Sequence, residues 1–316
     1  MKSNIKRGCI HTDLALELQE ELEKESGEWK KHSGITIKKR DIPGSEIKEI
    51  VINVENEDGE KLLGKPQGHY VTLEGTDLSK NDGEYHEEMS RCLSTHLEKF
   101  LQDKETVLFV GLGNREVTPD SLGPLVIQNL LMTRHLKEMK YFKKMRTSMA
   151  LVPGVMAQTG MESGEILEGI VQKTQPDAMV VIDALAAKSF ERLNCTVQLC
   201  DTGIAPGSGV GNHRNEISAE TMGIPVIALG VPTVISIPAI AGDIMQSVIR
   251  YFGDRKLMRQ YEKWQDREKY HFMAEALPEK LYGLFVTPKE IDESVKRISY
   301  TISEGINRVI ARKYQR

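Results

Sequence analysis

Cysteine is scarce. Four of the 316 residues are cysteines (Cys9, Cys92, Cys195 and Cys200), and no two form a C-x-x-C pair. That is too few for a disulfide scaffold and points to a reducing, cytoplasmic compartment. Charge imbalance is equally small: 42 Lys and Arg stand against 46 Asp and Glu, leaving −4, which argues against direct nucleic-acid binding through a basic face. Lys2, Lys6 and Arg7 resemble a basic leader, but Asp13, Glu17 and Glu20 occupy the place of its apolar core, so no signal peptide is expected. One uncharged stretch, residues 221–242, is long enough for a bilayer. Pro225, Pro232 and Pro238 would break it as a helix, so it reads as a buried strand, a turn and the start of a core helix, with no membrane partner. The chain also lacks a G-x-S-x-G elbow, an H-E-x-x-H helix, a P-loop and any internal repeat. Its eight histidines are scattered, and no metal or cofactor is called for.

What remains is ordinary globular composition, 40% apolar and 28% charged. After a polar tail of thirteen residues, Leu14, Leu18 and Leu22 mark one face of a helix. Short alternating runs over about 34–76 (GITIKKRDI, IKEIVINV, HYVTLEG) read as half-exposed β-structure. A helix is expected near 83–103. The rhythm then changes. TVLFVGLG, RTSMALVPG, AMVVIDA, NCTVQLCD and IPVIALGV are apolar runs without strict alternation, the pattern of strands buried on both faces. Helical stretches near 119–135, 160–174 and 238–252 lie between several of them. The expected fold is α/β: a mostly parallel, doubly wound sheet flanked by helices, with a small β-rich N-terminal extension. Residues 254–280 read as a charged, solvated segment, and Thr287, Pro288 and Glu290 as the start of a final helix.

In open parallel sheets, sites form beyond the carboxyl ends of the strands. Three loops qualify, and each carries an aspartate: Asp120 in the Thr-Pro-Asp turn, Asp183 at the end of MVVI, and Asp201 ahead of a glycine-rich loop. Asp120 could simply favour a helix N-terminus. Asp183 starts inside the apolar layer, where a carboxylate needs a partner or a shifted pKa. Two carboxyls at one crevice suggest a division of labour, one drawing a proton from water while the other polarises a carbonyl. The loop after Asp201 holds Gly203, Gly207, Gly209 and Gly211. It is either a flexible bend or a nest of backbone N–H groups that would hold substrate at Asp201, Gly207, Ser208, Gly209 and Gly211.

Five segments, GLGNREVTPDSLGP, VPGVMAQTGMESGEI, VVIDALAAKSFERLN, DTGIAPGSGVGNHRNEIS and GIPVIALGVPTV, closely resemble the germination proteases of spore-forming Firmicutes, which degrade small acid-soluble spore proteins. The resemblance runs from about residue 8 to about 292. It implies a fold related to hydrogenase maturation proteases, a zymogen, usually homotetrameric, in the spore core, and Asp120 and Asp183 as the catalytic pair. It further implies a propeptide of residues 1–13 ahead of a protease domain of 14–316. The family's propeptide ends in a mimic of its substrates: an acidic residue, an apolar residue, Ala and a nearby Glu. Asp13, Leu14, Ala15, Leu16 and Glu17 match it, placing autocleavage between Asp13 and Leu14. Thr12 and Asp13 could equally cap the first helix. The region around 254–280 is shorter than in familiar members. A metal-dependent protease on the same fold and a catalytically silent binding module remain the alternatives.

Overall fold

The computed structural model describes residues 12–25, 34–76, 78–207, 215–264 and 266–311. Its strands are β1 (Ile35–Asp41), β2 (Lys48–Val54), β3 (Gly68–Glu74), β4 (Thr106–Gly111), β5 (Thr147–Leu151), β6 (Ala178–Ala187), β7 (Thr196–Cys200), β8 (Val226–Ser236) and β9 (Phe285–Val286). The helices before β6 are α1 (Ala15–Glu25), α2 (Glu57–Leu63), α3 (Gly83–Phe100), α4 (Leu122–Gln128), α5 (Met156–Thr159) and α6 (Ser163–Thr174). After β7 come α7 (Ala219–Met222), α8 (Ile237–Phe252), α9 (Arg255–Lys263), α10 (Asp266–Ala276), α11 (Glu279–Tyr282) and α12 (Ile291–Ala311).

All nine strands form one sheet in the order β1-β2-β3-β7-β8-β6-β4-β5, with β9 against β8. β5, β4, β6 and β8 are parallel neighbours. Their residues are buried on both faces, most completely in β6 and β8, as their unbroken apolar runs predict. One face carries α3, α4 and α12. Tyr85, Met89, Leu93 and Leu97 of α3 recur at helical spacing and meet Val295, Ile298, Ile302 and Ile306 of α12 over Phe109, Ile182 and Leu229. On the other face, Leu167 of α6 and Met222 of α7 cover Val110, Met179 and Val181, while Ala15 and Leu16 of α1 cover Ile52, Tyr70, Cys200 and Ala228. Arg146, ahead of β5, ties helix ends together. Its guanidinium donates to the carbonyls of Leu101 (3.0 Å), Lys104 (2.8 Å) and Val309 (3.0 Å), at or just past the ends of α3 and α12, and to the Glu98 carboxylate.

The layered α/β architecture is the one expected, and the β-rich stretch 34–76 extends the same sheet as an antiparallel wing. β7 differs. Its apolar run reads like those of the parallel strands, yet it runs antiparallel to both β8 and β3. Only residues 188–195 join β6 to β7, and a parallel return needs a crossover of about a dozen residues or more. The helix expected over 119–135 stops at Gln128. There Leu131 N–H turns to the Asn307 side chain and Thr133 N–H to Ser148, so tertiary partners capture the backbone. Thr287 sends its hydroxyl to the Thr233 carbonyl (2.8 Å), and the last helix begins only at Ile291.

The uncharged stretch 221–242 is β8 passing directly into α8, with Pro238 in the first turn of the helix. No described helix is long and apolar enough to cross a membrane. α8 is not a core helix. Ile244, Val248, Tyr251 and Phe252 are exposed, and its buried side faces α9 and α10 through Ile249, Tyr261 and Met273. The charged segment thus has a small apolar contact of its own.

Candidate active site

β4 ends at Gly111, and the chain turns through Leu112 and Gly113 into a tight helical turn at Thr118–Asp120 before α4. Two glycines set how closely this turn approaches the sheet. A methyl group at Gly123 would stand 2.6 Å from the Ile182 carbonyl oxygen and closer still to that of Leu112. Gly113 has φ +104°, and a methyl there would run into the Asp120 backbone. The Leu112 N–H donates to the Ile182 carbonyl (2.8 Å), and the Thr233 hydroxyl of β8 donates to the Pro119 carbonyl (2.7 Å). The Asp120 turn is thereby fastened beyond the carboxyl end of β4, against the middle of β6 and the later half of β8. Its half-buried carboxylate accepts the Asn114 N–H (2.7 Å).

Asp183 lies one residue beyond Ile182, inside β6 and only 6% exposed, with the Ala184 N–H on its carboxylate (2.9 Å). The fold therefore brings Asp120 and Asp183 onto adjoining segments, where β4 ends beside the middle of β6. The loop led by Asp201 does not open there. Because β7 runs antiparallel, Asp201 follows Cys200, which pairs with Ala228, near the amino end of β8. Asp183 pairs with Gly230, the partner of Gln198, so Asp201 sits three residues, about 10 Å, below that row. Its carboxylate accepts the His69 N–H (2.7 Å) and faces the His69 ring nitrogen Nδ1 (2.7 Å). Gly207 has φ +74°. Ser208, Gly209 and Gly211 lie outside the described residues. Cys200 is buried, and burial pushes its thiol up, away from the thiolate a cysteine nucleophile needs. Among the described residues, no group of three or more His, Cys, Asp and Glu is placed to hold a metal ion.

The expected cleavage segment, Asp13–Glu17, lies with Thr12 in a groove on the Asp183 strand. Asp13 N–H donates to the Ala186 carbonyl (3.1 Å), and the Asp13 carboxylate accepts the Ala186 N–H (2.9 Å). Its carbonyl oxygen receives two donors, Lys65 Nζ and Gln198 Nε2, each at 3.1 Å. Gln198 Oε1 accepts the Ala15 N–H (2.7 Å). Leu14, Ala15 and Leu16 are fully or almost fully buried. The Glu17 carboxylate takes the backbone N–H groups of Lys188 and Ser189, both at 2.8 Å, and the Thr12 hydroxyl. Burial pushes the Glu17 carboxyl up, against the pull of these hydrogen bonds and of the Lys188 charge. Farther along α1, Arg192 pairs with Glu20 (2.6 Å) and Lys188 with Glu21 (3.5 Å). Beyond Glu17 an open cleft of about 1400 Å³ runs between α1, the 188–192 turn and α8; neither Asp120 nor Asp183 lines it.

Sequence reasoning missed the groove residues Lys65, Ala186, Lys188, Ser189 and Gln198. A signal was present for three of them, since the segment carrying Asp183 continues as Ala-Ala-Lys-Ser through 186–189. Lys65 and Gln198 carry no local signature.

The germination protease family pattern matches residues 12–264. The germination protease of Caldanaerobacter subterraneus subsp. tengcongensis is 41% identical over 316 aligned residues, covering 94% of this chain and 93% of that protein. That of Bacillus cereus strain G9842 is 34% identical, covering 96% and 94%, and that of Bacillus thuringiensis subsp. konkukian is 35% identical with the same coverage. Among solved structures, the [NiFe] hydrogenase maturation protease HycI of Thermococcus kodakarensis KOD1 is similar at 19% identity and a TM-score of 0.35, over 67% of this chain and 98% of that one. A pattern spanning most of the chain and relatives aligned nearly end to end leave one assignment: this chain belongs to the germination protease family.

Proposed function

We propose that this protein is a self-processing endopeptidase of the spore core that starts the degradation of small acid-soluble spore proteins at germination. Asp120 and Asp183 act as a carboxyl pair. One takes a proton from the attacking water and returns it to the leaving nitrogen, while the other, still protonated, polarises the carbonyl. The uncut chain is a zymogen, and the first cut falls between Asp13 and Leu14, removing residues 1–13. One observation carries this reading: Asp13 is hydrogen-bonded through both its backbone and its carboxylate to Ala186, three residues along the strand from Asp183. The Thr12–Glu17 segment thus lies as a substrate would, beside the proposed pair. A homotetramer goes with this reading, and the exposed Ile244, Val248, Tyr251 and Phe252 of α8 are apolar surface that such an assembly would cover.

The test is hydrolysis of a purified small acid-soluble spore protein, followed by mass spectrometry with and without a chelator. Cuts after acidic residues, equal in both samples, are expected. Asp120→Asn and Asp183→Asn should each abolish them while leaving circular dichroism and the melting midpoint unchanged. An active, folded variant would remove that aspartate from the mechanism. Loss of activity with the chelator alone would replace the carboxyl pair by a metal.

A further inference from the structure

The Asp13 carbonyl oxygen is held in an unusual way. Asp13 lies two residues ahead of α1, and its carbonyl receives two side chains from distant parts of the chain. Lys65 and Gln198 donate from 52 and 185 residues away. Both donors are fixed from behind. Gly64, with φ 69°, ends α2 and turns the chain into Lys65, and the Tyr70 hydroxyl holds the Pro66 carbonyl on the other side (2.8 Å). Gln198 is 7% exposed in β7. Its register partner on β8 is Gly230, and the next partner on β6 is Asp183. Paired residues point to the same face of a sheet, so Gln198 and Asp183 share a face across about 10 Å. Gln198 also spans the proposed cut. Its amide donates to the carbonyl before Leu14 and accepts the N–H after it, so it bridges the two peptide units on either side of Leu14.

We infer that Lys65 and Gln198 are the groups that hold the carbonyl oxygen of the bond to be cut, and that Ala186, Lys188 and Ser189 read the two acidic side chains flanking it. This rests on the proposed cleavage at Asp13–Leu14 and adds to it the residues that stabilise the developing negative charge. Water adds to the Asp13 carbonyl carbon while a carboxylate of the pair takes one of its protons. The π electrons move onto the oxygen between Lys65 Nζ and Gln198 Nε2. Collapse breaks the bond to the Leu14 nitrogen, which receives its proton from the carboxylic acid just formed. A free acid at Asp13 and a free amine at Leu14 result. An ammonium and an amide already aimed at this oxygen need no reorganisation as charge builds, and removing one such donor typically slows a reaction by about 10²–10³-fold.

The test uses the full-length chain and two readouts: the first-order rate of loss of residues 1–13 from intact mass, and hydrogen-exchange protection of the amides of residues 14–18. Lys65→Met should slow cutting by about 100-fold while leaving protection intact, because Gln198 Oε1, Ala186, Lys188 and Ser189 still hold the segment. Lys65→Arg should recover part of the rate. Gln198→Leu should lose both rate and protection. If the wild type cuts after Asp13 and Lys65→Met keeps pace within about threefold, the carbonyl-holding role is overturned and the proposed function stands. If protection in Lys65→Met falls in proportion to the rate, the lysine only docks the segment, and the role is again overturned. If the wild type is never cut at Asp13–Leu14, the self-processing reading falls first and takes this inference with it.

Discussion

Replacing Gly123 by alanine tests how the Asp120 turn is positioned. The added methyl would stand 2.6 Å from the Ile182 carbonyl oxygen, 2.7 Å from the Leu112 nitrogen, and nearer still to the Leu112 carbonyl. All three are backbone atoms of adjoining strand ends, so no rotamer change relieves the contact. The methyl wedges against both ends of the 2.8 Å hydrogen bond from Leu112 to Ile182, so α4 lifts from the sheet and that bond opens with it. Overpacking of this kind costs about 1–3 kcal/mol, and loss of the buried hydrogen bond adds about 1 kcal/mol. The expected destabilisation is therefore about 2–4 kcal/mol, read as a shift of the urea midpoint at unchanged m-value. Gly169, inside α6, is the control. A methyl there meets nothing within 4 Å, so Gly169→Ala should be neutral or stabilise by up to about 1 kcal/mol. Self-cleavage should suffer in the first variant and not in the second. Equal stability of Gly123→Ala and wild type would refute the argument that close backbone approach seats Asp120.

Arg146→Met should cost about 1–3 kcal/mol in urea unfolding, because it removes the donor to the half-buried Lys104 and buried Val309 carbonyls and to the partly exposed Glu98 carboxylate. Arg146→Lys should recover only part, since an ammonium lacks the fork that reaches all of them; full recovery would contradict this. Docking of the Thr12–Glu17 segment should depend on pH through Glu17. Its carboxyl is raised from an ordinary 4.5 by burial, so docking takes up a proton between 4.5 and the raised value. The stabilisation is fully present below 4.5 and is lost as pH rises through the raised value. Exchange protection of residues 14–18, corrected for intrinsic rates, should therefore fall with rising pH in wild type and stay flat in Glu17→Gln. Parallel curves for the two proteins would show that another group sets the dependence.

The legible and the illegible parts of this chain divide by how local their causes are. The parallel strands could be read because burial on both faces leaves an unbroken apolar run, and α3 and α12 because one face recurs every three or four residues. The direction of β7 could not, since TVQLC buries equally well in either orientation; only the short link from β6 decides it. The early end of α4 and the late start of α12 come from partners more than a dozen residues away, Asn307 and Thr233 among them. At the site, Asp120, Asp183 and Asp201 stand out because each follows an apolar run that reads as a parallel strand, and Asp183 further because a carboxylate inside the apolar layer needs a partner. The structure places Asp201 elsewhere, against His69. Lys65 and Gln198 gave no such signal. A lysine after a helix-ending glycine and a glutamine in a strand are unremarkable until the fold brings both to one carbonyl oxygen.

The central claim is that residues 12–17 lie in the groove as the enzyme's own first substrate. The most direct measurement is the intact mass of full-length wild type and Asp183→Asn after incubation at mildly acidic pH, each with and without a chelator. The account predicts that wild type loses residues 1–13 in both conditions, leaving a chain that begins at Leu14, and that Asp183→Asn keeps its full mass. A wild-type chain cut at any other bond, or an Asp183→Asn chain cut after Asp13, would contradict it.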